Sequence, residues 1–172
     1  IVIAASSTAL ATVLGTAIGL ISAYFGGRVD GVVMRLNDVF IAFPTLVFAM
    51  FLIGVLGPGI VHGILVIALI FTSSIARVVR SSALGVVIRE YFDAARFRGE
   101  TILFILCHEV LPILDPTIIV EVCIRFGFAI LVTESLSYIG LGPPPPMPDW
   151  GTMASEGRSL MLTNPWPVFA PC

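Results

Sequence analysis

The sequence contains no lysine at all, and only 12% of its 172 residues carry a charge, roughly half the share found in an average soluble domain. That scarcity, with 58% hydrophobic residues and a mean hydropathy of +1.06, excludes a soluble domain of this length, which could not keep so much apolar surface from water. A lipid bilayer could. The formal net charge of −2 offers no basic surface for nucleic acid. Three cysteines, Cys107, Cys123 and Cys172, match no metal or redox spacing and are expected to be ordinary residues of an apolar environment. His62 and His108 lack a second His or Cys at ligand spacing. No nucleophile–base arrangement, paired carboxylates or glycine-rich phosphate loop suggests catalysis. The expectation is a chain with no catalytic residue, no metal and no cofactor of its own.

What the sequence does have is long uncharged runs. Ile1–Gly27 has no charged residue and exceeds the roughly 20 residues needed to span a hydrocarbon core; without a charged leading region it reads as a span, not a signal peptide. Ala11, Gly15, Gly19 and Ala23 recur at four-residue intervals, placing small residues on one face where another helix can come close. Gly26 to Gly31 reads as a loop. Val39–Ala76 again carries no charged residue, and Gly57-Pro58-Gly59 divides it. Two spans result, about 37–56 and 60–79, with Pro44 expected to kink the first. A last span is expected at about 113–138. Beyond it the stretch from Gly140 to Pro148, with four consecutive prolines, is expected to be stiff and extended. The whole is an all-α transmembrane bundle, one domain over 1–172, with four spans (about 1–25, 37–56, 60–79 and 113–138), a cytoplasmic loop at about 80–111 and an external segment at about 140–165. The sequence starts without Met and stops soon after an apolar approach, so further helices are expected outside both ends.

Arginine placement orients the bundle. Seven of the nine arginines lie in 28–35 and 77–98, which the positive-inside rule assigns to the cytoplasm. Between the third and fourth spans, Tyr91, Ala94, Ala95 and Arg98 share one helical face, with Gly99 ending the helix. A small-residue face on a short cytoplasmic helix suits docking into a groove of a soluble partner; a plain connector is the competing reading.

Ala94-Ala95 with Gly99, and Leu111-Pro112 downstream, resemble the "EAA" loop of binding-protein-dependent ATP-binding-cassette importer permeases. The resemblance extends to the dipeptide/oligopeptide/nickel branch through Tyr24-Phe25-Gly26-Gly27 and Asp30, Met34-Arg35 and Asp38, Ala42-Phe43-Pro44, Leu56-Gly57-Pro58-Gly59, and Glu134 with Leu136 through Gly142. Pro145-Pro146, Pro148, Trp150-Gly151, Met153 and Glu156-Gly157-Arg158 complete the series. The resemblance implies a type I importer permease of six spans, four of them present here, in the bacterial inner membrane. It implies a second homologous permease subunit, cytoplasmic ATP-binding subunits that hold the ATP and Mg, an extracytoplasmic substrate-binding protein, and no nucleic acid. By position, Glu90, Tyr91, Asp93, Ala94, Ala95 and Gly99 become the ATPase-coupling segment, and Pro145, Pro146, Pro148, Trp150 and Gly151 the binding-protein side. Four departures stand out: Asp93 where Glu is usual, Arg98 where the docking face is usually apolar, Cys107-His108-Glu109 in place of a more basic stretch, and Ile113 where Asn often follows the Pro.

Asp115, Glu121, Arg125 and Glu134 fall in or near the last span, where charge is costly and faces an interior or a watery path. Glu121 and Arg125, four apart, can pair. With Glu134 they are the pathway candidates, the alternative being a pair that neutralises itself inside the bundle. The expected cargo is di- or oligopeptide, with a nickel complex as the alternative within the family. A channel or scaffold uncoupled from any ATPase is the alternative outside it. The four spans are expected to behave poorly in isolation, with the small-residue face of the first helix unpartnered.

Overall fold

Close backbone approach decides how the helices assemble. The computed structural model describes residues 1–87, 98–143, 147–161 and 164–170, all helix or connecting turn among the described residues. Helix α1 (Val2–Phe25) buries Ala11, Gly15, Gly19 and Ala23 against α4 (Ile60–Val87), the most extensive helix pairing in the chain. A Cβ on Gly15 would lie 2.8 Å from Ile75 Cβ, and one on Gly19 2.7 Å from the Ala76 carbonyl oxygen. Lipid gives helices no hydrophobic reason to associate, so van der Waals fit of this kind has to supply it. The small-residue face therefore has its partner within the chain, contrary to the sequence-based expectation; the partner is simply not the neighbouring segment.

Gly26 alone separates α1 from α2 (Gly27–Ile41), so the loop expected at 26–31 is helix from Gly27 onward. Nor is 37–56 one kinked span. α2 ends at Ile41, α3 (Thr45–Leu56) starts after Pro44, and the two axes differ by 87°. Proline lacks the N–H that would continue the ladder and disfavours α conformation in the residue before it, which turns an expected kink into a break. Helix α4 continues past the expected limit at 79 to Val87.

The last rod, α5 (Ile102–Tyr138), starts well before position 113. It opens with one α turn (Ile102–Phe104), continues as a π turn (Ile105–Val110) and runs on as regular helix from Leu111. The π register has a cause: Pro112 has no N–H for the carbonyl four residues back, and the Leu111 N–H reaches back to the Leu106 carbonyl instead. A short α6 (Trp150–Gly157), which the sequence reading left unassigned within 140–165, packs on α5, and α7 (Trp166–Phe169) packs on α6.

Helices α1, α4 and α5 are long and apolar enough to cross a membrane, and the bent pair α2–α3 would make a fourth crossing. Ile67, Ile75 and Val79 of α4 form the centre of the core, with Ile53 of α3 and Val110, Ala129 and Leu136 of α5 around them. In contrast, α5 exposes Ile119, Val120, Phe128 and Leu131. Cys107 and Cys123 are exposed free thiols.

Because Gly19 faces backbone, enlarging it forces the helices apart. Gly19→Ile in the full-length protein is expected to cost about 1–3 kcal/mol, the range for overpacked sites, seen as a lower melting temperature in detergent. Gly85→Ile, at a position with open space around it, is the control expected to leave melting unchanged.

Candidate functional site

Polar contacts concentrate at three places. At the arginine-bearing end, α2 lies along α4 in the opposite sense. The Asn37 side chain donates to the Ser73 carbonyl at 2.6 Å, Arg77 pairs with Asp38, and Arg80 donates to both carboxylate oxygens of Asp30. Ser22 of α1 also donates to Asp30, at 2.5 Å. Asp30 therefore ties three helices together at one point. The Arg77–Asp38 pair is about half exposed and contributes little; the Arg80–Asp30 fork is mostly buried, where bidentate geometry counts for more. Sequence reading missed this clamp, although a signal was present. Asp30 and Asp38 are eight apart and Arg77 and Arg80 three apart, so each pair shares one helical face.

The second place is the turn before α5. Glu90, Tyr91, Asp93, Ala94 and Ala95 lie outside the described residues, and Gly99 does not. Gly99 sits at φ +76°, a left-handed conformation that suits glycine. Arg98, at the position expected to disturb a docking face, turns to its own chain. It donates to Glu109 Oε1 at 3.2 Å and lies 3.7 Å from Glu100. Glu109 belongs to the π turn, so the loop end is tied to the base of α5. His108, one residue away, stacks on Phe104 with ring centroids 4.5 Å apart.

The third is the opposite end of α5. The backbone N–H of Gly151 donates to Glu134 Oε2 at 2.7 Å. A side chain at 151 would collide with the Glu134 carbonyl oxygen and lie 2.7 Å from Ser137 Cβ, so the glycine lets α6 rest directly on α5. Trp150 opens α6 and Pro148 leads into it, while Pro145 and Pro146 lie outside the described residues. Of the pathway candidates, Glu121 is buried and accepts from Arg125 Nε at 2.6 Å; the guanidinium carbon lies 6.0 Å from the centre of the Phe71 ring in α4. Glu134 stands apart from that pair, beside α6.

A bundle of apolar crossings, whose ion pairs among the described residues lie toward its ends apart from the internal Glu121–Arg125 pair, is that of a polytopic membrane protein. The family of binding-protein-dependent transport system inner membrane components matches residues 15–171, and the chain belongs to it. It is similar to a dipeptide transport system permease protein of Alkalihalophilus pseudofirmus, 35% identical over 94% of this chain and 53% of the relative. A glutathione transport system permease protein of Pectobacterium atrosepticum is 34% identical, over 96% of this chain and 55% of the relative. A probable D,D-dipeptide transport system permease protein of Escherichia coli is 34% identical, over 92% of this chain and 53% of the relative. The chain thus spans about half the length of the curated relatives it matches. Its place is the bacterial inner membrane, crossed several times.

If the Asp30–Arg80 fork holds α1, α2 and α4 together, Asp30→Asn lowers stability by about 1.5–3 kcal/mol, the scale for losing a hydrogen bond to a charged group. The exchanged pair Asp30→Arg with Arg80→Asp should recover part of that loss in the same melting assay. Equal destabilisation by the single and exchanged variants would contradict the assignment.

Proposed function

We propose that this chain is the membrane-crossing part of a permease subunit in an ATP-binding-cassette importer, and that its cargo is di- or oligopeptide. The observation that carries the reading is family membership over nearly the whole chain, together with relatives whose names specify dipeptide or glutathione transport. Those names favour peptides over nickel complexes. Membership of a binding-protein-dependent transport family favours an importer over an uncoupled channel or scaffold.

In this reading Glu90, Tyr91, Asp93, Ala94, Ala95 and Gly99 dock into a cleft of a cytoplasmic ATPase subunit, which holds the ATP and Mg and performs the hydrolysis. A second homologous permease subunit completes the pathway. A substrate-binding protein delivers cargo to the outer side, near Pro145, Pro146, Pro148, Trp150 and Gly151. The geometry supports a mechanical route between the two sides. Arg98–Glu109 joins the turn at Gly99 to the base of α5, and Glu134–Gly151 joins the far end of α5 to α6. A displacement of the docked segment on ATPase closure reaches the outer helix through one rod, a rigid-element route to alternating access.

Co-purification of the full-length permease with its ATPase tests the coupling. Wild type is expected to retain the ATPase, while Ala94→Glu and Gly99→Glu lose it. Retention by both variants, or no ATPase with wild type, would make residues 89–99 a mere connector. A second expectation concerns Arg98: Glu109→Gln should leave ATPase binding intact and lower peptide uptake per ATP hydrolysed in proteoliposomes. Unchanged coupling would remove the Arg98–Glu109 link from the route.

A further inference from the structure

Helix α2 has two faces of unlike chemistry. Asp30 and Asn37 turn toward α4, where they meet Arg80 and the Ser73 carbonyl. The opposite face is uncovered. Val29, Val32, Leu36 and Val39 are all exposed there, and Arg28 and Arg35 stand exposed along its edge. At 3.6 residues per turn these six side chains fall within one arc of about 120°. The ion pairs among the described residues take Arg77, Arg80, Arg98 and Arg125, and neither Arg28 nor Arg35 has a partner among them. No acid shares the arc, and Asp38, beyond its edge, is taken by Arg77.

The arc suits lipid better than another helix. Where α1 meets α4, small residues let the backbones close up. The outer arc of α2 has no glycine, alanine, serine or threonine, only branched aliphatic side chains and two arginines. Its level also suits a headgroup. Asp30 pairs with Arg80, just past the charge-free part of α4, so Arg28 stands at the cytoplasmic boundary. Arg35 lies about 10 Å deeper along the helix. Helical side chains lean toward the N-terminus, which in α2 is the cytoplasmic end. A long arginine stem can then carry its guanidinium back to the boundary.

We propose that the outer face of α2 holds an anionic phospholipid of the cytoplasmic leaflet, its phosphate at Arg28 and Arg35 and an acyl chain along Val32, Leu36 and Val39. Guanidinium groups match phosphate oxygens through paired hydrogen bonds. A zwitterionic headgroup would bring its own ammonium against the same two positive charges, so the site selects for net negative charge. Such a site goes beyond the importer reading, since it needs neither an ATPase nor a peptide. It makes α2 a helix held on both faces, by the Asp30 clamp on one and by lipid on the other.

The test uses the full-length permease assembled with its partner subunits in proteoliposomes, in a background without other cysteines. Bimane attached at Leu36→Cys is quenched by spin-labelled phosphatidylglycerol or phosphatidylcholine, each titrated into unlabelled phosphatidylcholine. Phosphatidylglycerol is expected to quench at a mole fraction more than tenfold lower. Arg28→Gln and Arg35→Gln should each lower that preference about fivefold, the effect of one basic group near an anionic surface, and together abolish it. Arg28→Lys with Arg35→Lys keeps the charge and should keep most of the preference. Arg158→Gln, at an exposed position past the other end of α5, should leave it unchanged. No quenching by either lipid means that protein covers α2, and overturns the proposal. Equal quenching by both lipids in wild type overturns it too, as does a preference that survives in the double glutamine variant. If the lysine pair loses the preference as the glutamine pair does, charge is not what selects the lipid, and the assignment falls.

Discussion

The approach of α1 to α4 at Gly15 and Gly19 is the constraint on which the other placements depend. With Ile75 and the Thr72 and Ala76 carbonyls directly against the two glycines, the helices have one register in which they fit. That register sets Ser22 beside the Arg80 turn, so Asp30 can take hydrogen bonds from both. It also gives α2 a fixed surface, along which Asn37–Ser73 and Asp38–Arg77 follow in order. In a bilayer, where apolar area cannot hold helices together, close packing and a few well-placed polar ties must do so.

The ties divide the molecule by role. Those on α2 and α4 join elements to each other and suit a static scaffold. Those on α5 join it to segments outside the crossings, at Arg98 on one side and Gly151 on the other. Of the three long crossing helices, α5 has the smallest buried share and carries the internal Glu121–Arg125 pair. A helix lightly held by its neighbours and tied at both ends is suited to move as a unit, and the π turn at its base supplies a place where the backbone register already departs from regular helix. Such turns recur at functional positions in helices.

Much of this architecture is legible in the residues, and the failures have physical causes. Charge-free length located α1 and most of α4, and predominantly apolar composition located the core of α5 despite its four charged residues, since a span is a composition effect. The four-residue recurrence of small residues marked the packing face of α1, yet could not name its partner, because the partner is set by tertiary fit. The break at Pro44 was read as a kink, for a proline signal does not reveal whether neighbouring helices re-satisfy the freed backbone. The Gly26–Gly31 loop was overcalled: two glycines suggest a turn, and here one suffices. Glu121 and Arg125 were paired correctly by their four-residue spacing. Asp30–Arg80 and Asp38–Arg77 went unseen because each joins residues far apart in sequence. The Glu134–Gly151 contact, likewise, needs α6 folded back on α5, which no local pattern encodes. The residues expected to couple to an ATPase rest on the family motif, and most of them lie where only that motif speaks.

Everything functional in this account depends on one orientation, with the arginine-bearing end in the cytoplasm and the α6 end outside. The direct measurement is labelling of single cysteines in the full-length protein by a membrane-impermeant maleimide, with Cys107, Cys123 and Cys172 replaced by serine. Val61→Cys, beside the Gly57-Pro58-Gly59 turn, should label in intact spheroplasts. Ser81→Cys, on an exposed surface near the Arg77–Arg80 clamp, should label only after the membrane is permeabilised. The reverse pattern would put the Gly99 segment on the wrong side for an ATPase and contradict the account at its centre.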